Sequence, residues 1–294
     1  MNKFEELEQQ TLEENKRLLE INDAKREQVK ENFFKYAFKR LSCPKLPKDV
    51  HSVHEVDQEN YLNLEPFDKT APEKRVVIYT CITGGYDHLT EPVFQKDNVD
   101  YVAFTDSESA TSKTWNIRKI PEKLLGNNNS YINRYIKLHP HEFFAEYDYA
   151  IYIDGNVKVV TDITTLLSLI NPKYGLATFR HCIRDCAYEE AKVCVFLNKG
   201  NKKQIKKQIS RFEKEGFPHH FGLFECTLLF VKIGKESQAI FEAWWNELDG
   251  SQSGRDQLAL PYCIWKLGIK HEEIAVLGTN VWLSKKFTVY SHQK

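Results

Sequence analysis

The chain has 294 residues, 41% of them hydrophobic, enough to bury a sizeable core in one large domain or one domain plus an appendage. Lys plus Arg and Asp plus Glu both number 41, so the formal charge is zero and no global field favours nucleic acid or an acidic membrane surface as partner. No segment approaches the roughly 20 apolar residues of a membrane span. The start MNKFEELEQQTLEENKR lacks the apolar stretch of a secretory signal, and the seven cysteines are odd in number and scattered. These features predict reduced thiols and a cytoplasmic protein, with peripheral attachment to the inner face of a membrane as a compatible variant.

Residues 1–42 read as a helical arm. The segment is charge-dense and carries Leu7, Thr11, Leu18 and Ile21 at near-heptad spacing, followed by Phe33, Phe34, Tyr36 and Phe38. Glu14 and Lys25 interrupt the stripe, so two readings stay open: a coiled coil that mediates self-association, and a solvated helix that docks through its aromatic end. Pro44, Pro47, Pro66 and Pro72 punctuate a polar linker over 43–72. From residue 73 to 294, short apolar runs (RVVIYTC, DYVAFTD, YAIYID, GLATF, CTLLFV) alternate with helical patterns near 128–139, 201–215 and 236–248. That alternation predicts an α/β sheet covered on both faces, whose ligands bind beyond the carboxyl ends of the strands. Thr83 to Asp87, Asp106, and Asp154 to Asn156 all fall just past such ends.

The stretch YAIYIDGNVKVV interrupts a core strand with Asp154, Gly155 and Asn156. Two oxygen-bearing side chains around a glycine suit a divalent cation such as Mg²⁺ or Mn²⁺. A hairpin turn between two strands explains the same three residues, and taken alone is the stronger reading. Upstream, NNNSYINRYIKLHPHEFF sets Asn133, Arg134 and Lys137 at helical spacing, with Pro140 to end or kink the helix. Such a face suits a diphosphate, and equally a solvated surface. HCIRDCAYEEAKVC contains His181, Cys182, Cys186 and Cys194, but no CxxC pair points to zinc. Asp185 and Asp256 could each be helix caps.

The order INRYIKLHPHEFFAEYDYAIYIDGNVKV resembles the Arg-bearing helix, strand and D-x-D motif of GT-A glycosyltransferases, particularly the glycogenin and lipopolysaccharide galactosyltransferase group. GLFECTLLFVKIGKESQAIFEAWWNEL followed by GRDQLALPYCIWK resembles the second half of that group. More closely, YTCITGGYD, YIDGNV, RDCAYEEA and RDQLALPY together resemble a glycosyltransferase-like family formerly labelled as of unknown function, the TOD1/MUCI70-like domains, over about residues 74–267. The resemblance implies a GT-A-like, Rossmann-like mixed sheet flanked by helices, with the arm outside it.

It also implies roles. Thr80, Thr83 and Tyr86 would line the nucleoside pocket, Asp106 would lie near the ribose or base, and Arg134 and Lys137 would hold phosphates or donor sugar. Asp154 and Asn156 match the metal motif with Asn in place of the second Asp, and His292 is the candidate for the C-terminal metal ligand. Asp185, Glu225, Asp256 and Gln257 are the candidates for acceptor handling and catalysis. The implied activity is metal-dependent transfer of a sugar from a nucleotide-sugar to a glycan, a lipid-linked acceptor or another hydroxyl, with retention as the expected stereochemistry. A metal-dependent hydrolase and a catalytically silent nucleotide-sugar-binding module are the rival classes.

Overall fold

A computed structural model of the protein describes residues 3–31, 66–278 and 280–292. The aromatic cluster from Phe33 to Phe38 and most of the expected linker lie outside these residues. After a first helix, α1 (Lys3–Glu31), come strands β1 (Val76–Ile82), β2 (Val99–Thr105), β3 (Asn116–Lys119) and β4 (Tyr149–Ile153). These four run parallel, in the order β3-β2-β1-β4. Then follow β5 (Val157–Val159), β6 (Leu176–Arg180), β7 (Phe224–Lys232), β8 (Ala275–Val276) and β9 (Phe287–Val289). β7 lies antiparallel between β4 and β6, and β6 carries β8 at the far edge, giving a seven-stranded mixed sheet. The expected α/β architecture with flanking helices is therefore present.

All seven residues of β1 are buried. Side chains alternate along a strand, so Val77, Tyr79 and Cys81 enter one core cluster while Val76 and Ile78 enter another on the opposite face. Burial on both faces is the reason these strands read as continuous apolar runs. One face is covered by α2 (Asn129–Leu138) with the short α3 (Pro140–Phe143), and by α4 (Ala187–Phe196), α5 (Lys202–Lys214), α6 (Lys235–Ser251) and α7 (Asp256–Lys266). Asn128 caps α2 by accepting the Tyr131 amide proton at 2.9 Å, and α2 stops two residues before Pro140, as the proline requires.

Two features depart from expectation. The Asp154–Asn156 turn is not a hairpin: β5 leaves the main sheet and pairs antiparallel with β9, Val157 opposite Val289. The turn thus joins two sheets. The second departure is α1, whose buried face is Thr11, Asn15 and Leu19, at helical i, i+4, i+8 spacing, while Ile21 is 39% exposed. Asn15 Nδ2 donates to the carbonyls of Ser284 and Phe287, both at 2.7 Å, and Lys286 pairs with Glu8 at 3.2 Å. The stripe is occupied by the chain's own C-terminal segment, which the local pattern of α1 could not reveal. No helix among the described residues is long and apolar enough to cross a membrane.

Candidate donor and cation site

The carboxyl ends of β1, β2 and β4 lie side by side because these strands are parallel neighbours. The loop after β1 turns through Gly84 at φ +64°, a left-handed conformation that favours glycine, and the Gly84 amide donates to Asp106 Oδ2 at 2.8 Å. Gly155 has a different reason: a Cβ there would meet Ile82 Cγ1 at 2.7 Å and Asp87 Cβ at 3.3 Å. Glycine lets the two strand-end turns close on each other.

Asp154 is fixed by its amide donating to Thr227 O at 3.0 Å, and its Oδ1 accepts the Tyr152 hydroxyl at 2.8 Å. Its side chain is a quarter exposed. Asn156 is buried; its Nδ2 donates to Tyr290 O at 2.6 Å, while its Oδ1 has no hydrogen-bond partner. A buried acceptor left unbonded costs about 1–3 kcal/mol, so this oxygen is a candidate donor to a ligand. His292 Nδ1 lies 3.0 and 3.2 Å from the two carboxylate oxygens of buried Asp87, and its ring packs 4.8 Å from that of Tyr86.

Charges converge beneath this edge. Lys137 is buried and its Nζ donates to Asp256 Oδ2 at 2.7 Å, with Asp154 Oδ1 at 3.8 Å. Arg134 Nε lies 3.3 Å from the same Asp256 oxygen without forming a hydrogen bond, while its Nη1 donates to Asn133 Oδ1 at 2.6 Å. Burial opposes ionisation of Asp256, but Arg134, Lys137 and Arg255 outweigh it and hold the carboxyl well below the usual range. Burial likewise opposes the Arg134 charge, and Asp256 and Asp154 reverse that and raise its pKa. On Glu225 burial prevails: with Glu190 and Asp154 nearby its pKa rises, although Thr227 Oγ1 donates to it at 2.9 Å.

The other sequence candidates distribute as follows. Thr80 sits inside β1, buried, its hydroxyl without a partner; Thr83 is buried and donates to Asn129 O at 3.2 Å; Tyr86 is 48% exposed. Asp256 opens α7 but is not its cap, since Arg255 holds that position; Trp244 Nε1 donates to Asp256 O at 2.9 Å. Gln257 is buried and accepts from Arg255 Nη2 at 3.0 Å. Asp185 does not cap α4 either, because Cys186 is the N-cap; it pairs with exposed His220 at 2.7 Å and its carbonyl accepts the Gly222 amide. Sequence reasoning placed Asp87 past a strand end but gave it no role, and passed over Tyr152 and Tyr290. Asp87 had a signal, as the last residue of YTCITGGYD; a backbone carbonyl such as that of Tyr290 has none.

The donor set fits a hard divalent cation in part. Asp154 offers a carboxylate, Asn156 an orphaned amide oxygen, and His292 an imidazole at the same edge. Among the described residues no group of three or more His, Cys, Asp or Glu side chains is gathered as a metal cage. A cation held by one or two protein oxygens and by substrate phosphates needs no such cage.

No curated protein matches the chain. Among solved structures, the bifunctional glycosyltransferase WbbM in its apo state aligns with a TM-score of 0.44 and 12% identity, over 72% of this chain and 40% of that one. The galactosyltransferase LgtC in complex with donor and acceptor sugar analogues aligns at 0.38 and 15%, over 64% and 69%. The glycosyltransferase GlyE of Streptococcus pneumoniae aligns at 0.37 and 12%, over 69% and 45%. This chain thus corresponds to less than half of WbbM and GlyE, and likenesses this remote carry no residue roles. The family comparison is decisive by contrast: residues 52–280, well over half of the chain and including Asp87, Arg134, Lys137, Asp154, Asn156 and Asp256, match one family along their length. The chain belongs to the TOD1/MUCI70 glycosyltransferase-like domain family.

Proposed function

We propose that the protein transfers a sugar from a nucleoside-diphosphate sugar to a hydroxyl of a glycan or lipid-linked acceptor, with the donor lying across the ends of β1, β2 and β4 in the manner of a GT-A enzyme. The observation that carries this reading is the set of unsatisfied groups at one strand edge: the buried, unbonded Asn156 Oδ1 beside Asp154, and the Arg134 Nε that meets Asp256 without a hydrogen bond. Such groups are costly unless a ligand completes them. A diphosphate with a divalent cation brings the matching charges. Asp154, Asn156 and His292 would hold Mn²⁺ or Mg²⁺, which when bound supplies Lewis-acid stabilisation of the departing diphosphate.

The chain's own residues do the remainder. Arg134, a quarter or less exposed, directs a fork of N–H donors at a phosphate oxygen, and Lys137, locked on Asp256, contributes a fixed positive field from below. Thr83, Tyr86 and Asp106 border the nucleoside side of the edge. In a retaining transfer the acceptor oxygen bonds to the anomeric carbon as the carbon–phosphate oxygen bond breaks, and the acceptor proton passes to the leaving phosphate. Asp256 and Gln257 would then orient the sugar and stabilise its positive charge. Glu225, with its raised pKa, is the base an inverting route would use. The free, buried thiols of the six described cysteines support a cytoplasmic place of action.

Incubation with a panel of sugar nucleotides and Mn²⁺, with and without oligosaccharide acceptors, tests the reading. Acceptor-dependent release of the nucleoside diphosphate, with an extended acceptor as product, is expected. Release at the same rate without acceptor would make the protein a hydrolase.

A further inference from the structure

The segment after β9 reaches the strand edge from outside the family match, which ends at residue 280. We infer that residues 287–292 form a fixed strap that carries His292 to the cation site, and that Asp87 at its tip and Asn15 at its root are the positioning residues. The inference rests on the cation reading given above and deepens it.

Three contacts hold the strap, each on a different part of the fold. At the root, Asn15 of α1, 2% exposed, spends both amide protons on Ser284 O and Phe287 O. In the middle, β9 pairs with β5, and Asn156 Nδ2 donates to Tyr290 O just beyond the ribbon. At the tip, His292 Nδ1 donates to the Asp87 carboxylate. A carboxylate accepts, so Nδ1 is the donor in this pair and Nε2 is the ring nitrogen left for a ligand. Histidines that ligate metals are commonly oriented in this way by a carboxylate on the other nitrogen. The Asn156 contact has a parallel consequence: with Nδ2 tied to the strap, its oxygen is the end left for the ligand. One strap thereby sets the orientation of two of the three proposed donors.

Asp87 also lies at the right place to act on His292 rather than as part of a cage. Its Cβ is in contact distance of the space a Gly155 side chain would fill, so the Asp-Gly-Asn turn and the strap meet on it. The Asp87 carboxylate is buried at 9% exposure, while the His292 ring that it holds is 42% exposed and open to a ligand.

Titration of the full chain with Mn²⁺ alone, followed through the electron paramagnetic resonance of the free ion at constant pH, tests this. Wild type binds, and Asp154→Ala and His292→Ala each bind at least tenfold more weakly. Asp87→Ala is expected to lose about 10–100-fold. Asp87→Asn keeps a carbonyl oxygen to accept the Nδ1 proton and recovers binding to within about threefold, a loss below about 0.7 kcal/mol. The double variant Asp87→Ala/His292→Ala binds no more weakly than His292→Ala, because the two residues act as one unit. Asn15→Ala loses a smaller factor. Wild-type affinity in Asp87→Ala alongside a failed Asp154→Ala overturns the inference and leaves the cation reading standing. Asp87→Asn as weak as Asp87→Ala overturns it too, by making Asp87 a ligand. Equal affinity of wild type and Asp154→Ala removes the cation reading and the inference together. Amide hydrogen exchange adds a test of the root contact: Asn15→Ala should speed exchange over 287–292 relative to wild type, and unchanged exchange there overturns the role of Asn15.

Discussion

Two clusters of buried charge lie on the same side of this molecule, and only one of them has the marks of a site. Around α4, Arg184 Nε donates to Glu190 Oε2 at 2.6 Å, Cys194 Sγ donates to Glu190 Oε1 at 3.3 Å, and His181 Nδ1 accepts the amide protons of Ile183 and Arg184. Burial opposes the Glu190 charge, but Arg184 above all outweighs it and lowers the carboxyl's pKa. Every member comes from one stretch of chain, 181–194, and the groups close on one another. Under the ends of β1 and β4 the members come from α2, the turn after β4 and α7, and the closure is incomplete at Arg134 Nε and Asn156 Oδ1. Arg255 lies between the two, within electrostatic reach of both Glu190 and Asp256. Burial of charge is common to both clusters; in the second the members themselves, Arg134 Nε and Asn156 Oδ1, are left without partners, whereas on α4 the unpartnered Glu189 Oε2 lies outside the closed set.

The largest effects should be on stability and should strike both clusters alike. Lys137→Met leaves Asp256 buried without its closest cation, and Arg184→Met does the same to Glu190; each is expected to lower unfolding free energy by about 3–5 kcal/mol in urea denaturation. A Lys137→Met variant within 1 kcal/mol of wild type, an order-of-magnitude limit on ordinary surface changes, would mean its pairing with Asp256 is not structural.

Arg134→Ala sharpens the comparison, because it removes the group that the fold does not fully use. Binding of a nucleoside diphosphate in the presence of Mn²⁺ should weaken by roughly 1.5–3 kcal/mol, the worth of a hydrogen bond to a charged group, with binding of the bare nucleoside little changed. Equal losses for both ligands, measured by calorimetry, would deny the phosphate role.

The smallest expected effect belongs to the closed cluster. Burial pushes His181 down to about 4, so between that value and the ordinary 6.5 the unfolded chain binds a proton that the folded protein does not. Stability therefore falls as pH drops from 6.5 toward 4, by an amount on the order of 1–3 kcal/mol. In His181→Gln that part of the slope should vanish; an unchanged slope in thermal unfolding across this range would show that His181 does not titrate as described.

Much of the sheet was legible because strands buried on both faces are mostly apolar: β1, β2, β4, β6 and β7 each fall within a residue or two of their apolar runs. β3, β5, β8 and β9 were not, being two to four residues long with no period to read. At the site, Asp154, Asn156, Arg134 and Lys137 were legible as residue types at strand and helix ends. That Lys137 would face Asp256, 119 residues away, was not, since only the folded sheet brings α2 and α7 together. Asn15 is the clearest case of the same limit. In the sequence nothing sets it apart from the other polar residues of the arm; in the fold it is buried because two carbonyls of the C-terminal segment satisfy it.

The most direct test of the central claim is calorimetric titration of wild type and Asp154→Ala with a panel of nucleoside-diphosphate sugars, each with Mn²⁺ and with excess chelator. At least one donor is expected to bind the wild type only when Mn²⁺ is present and not to bind the folded Asp154→Ala variant. A donor that binds both proteins equally, or binds the wild type equally with the chelator, would contradict it.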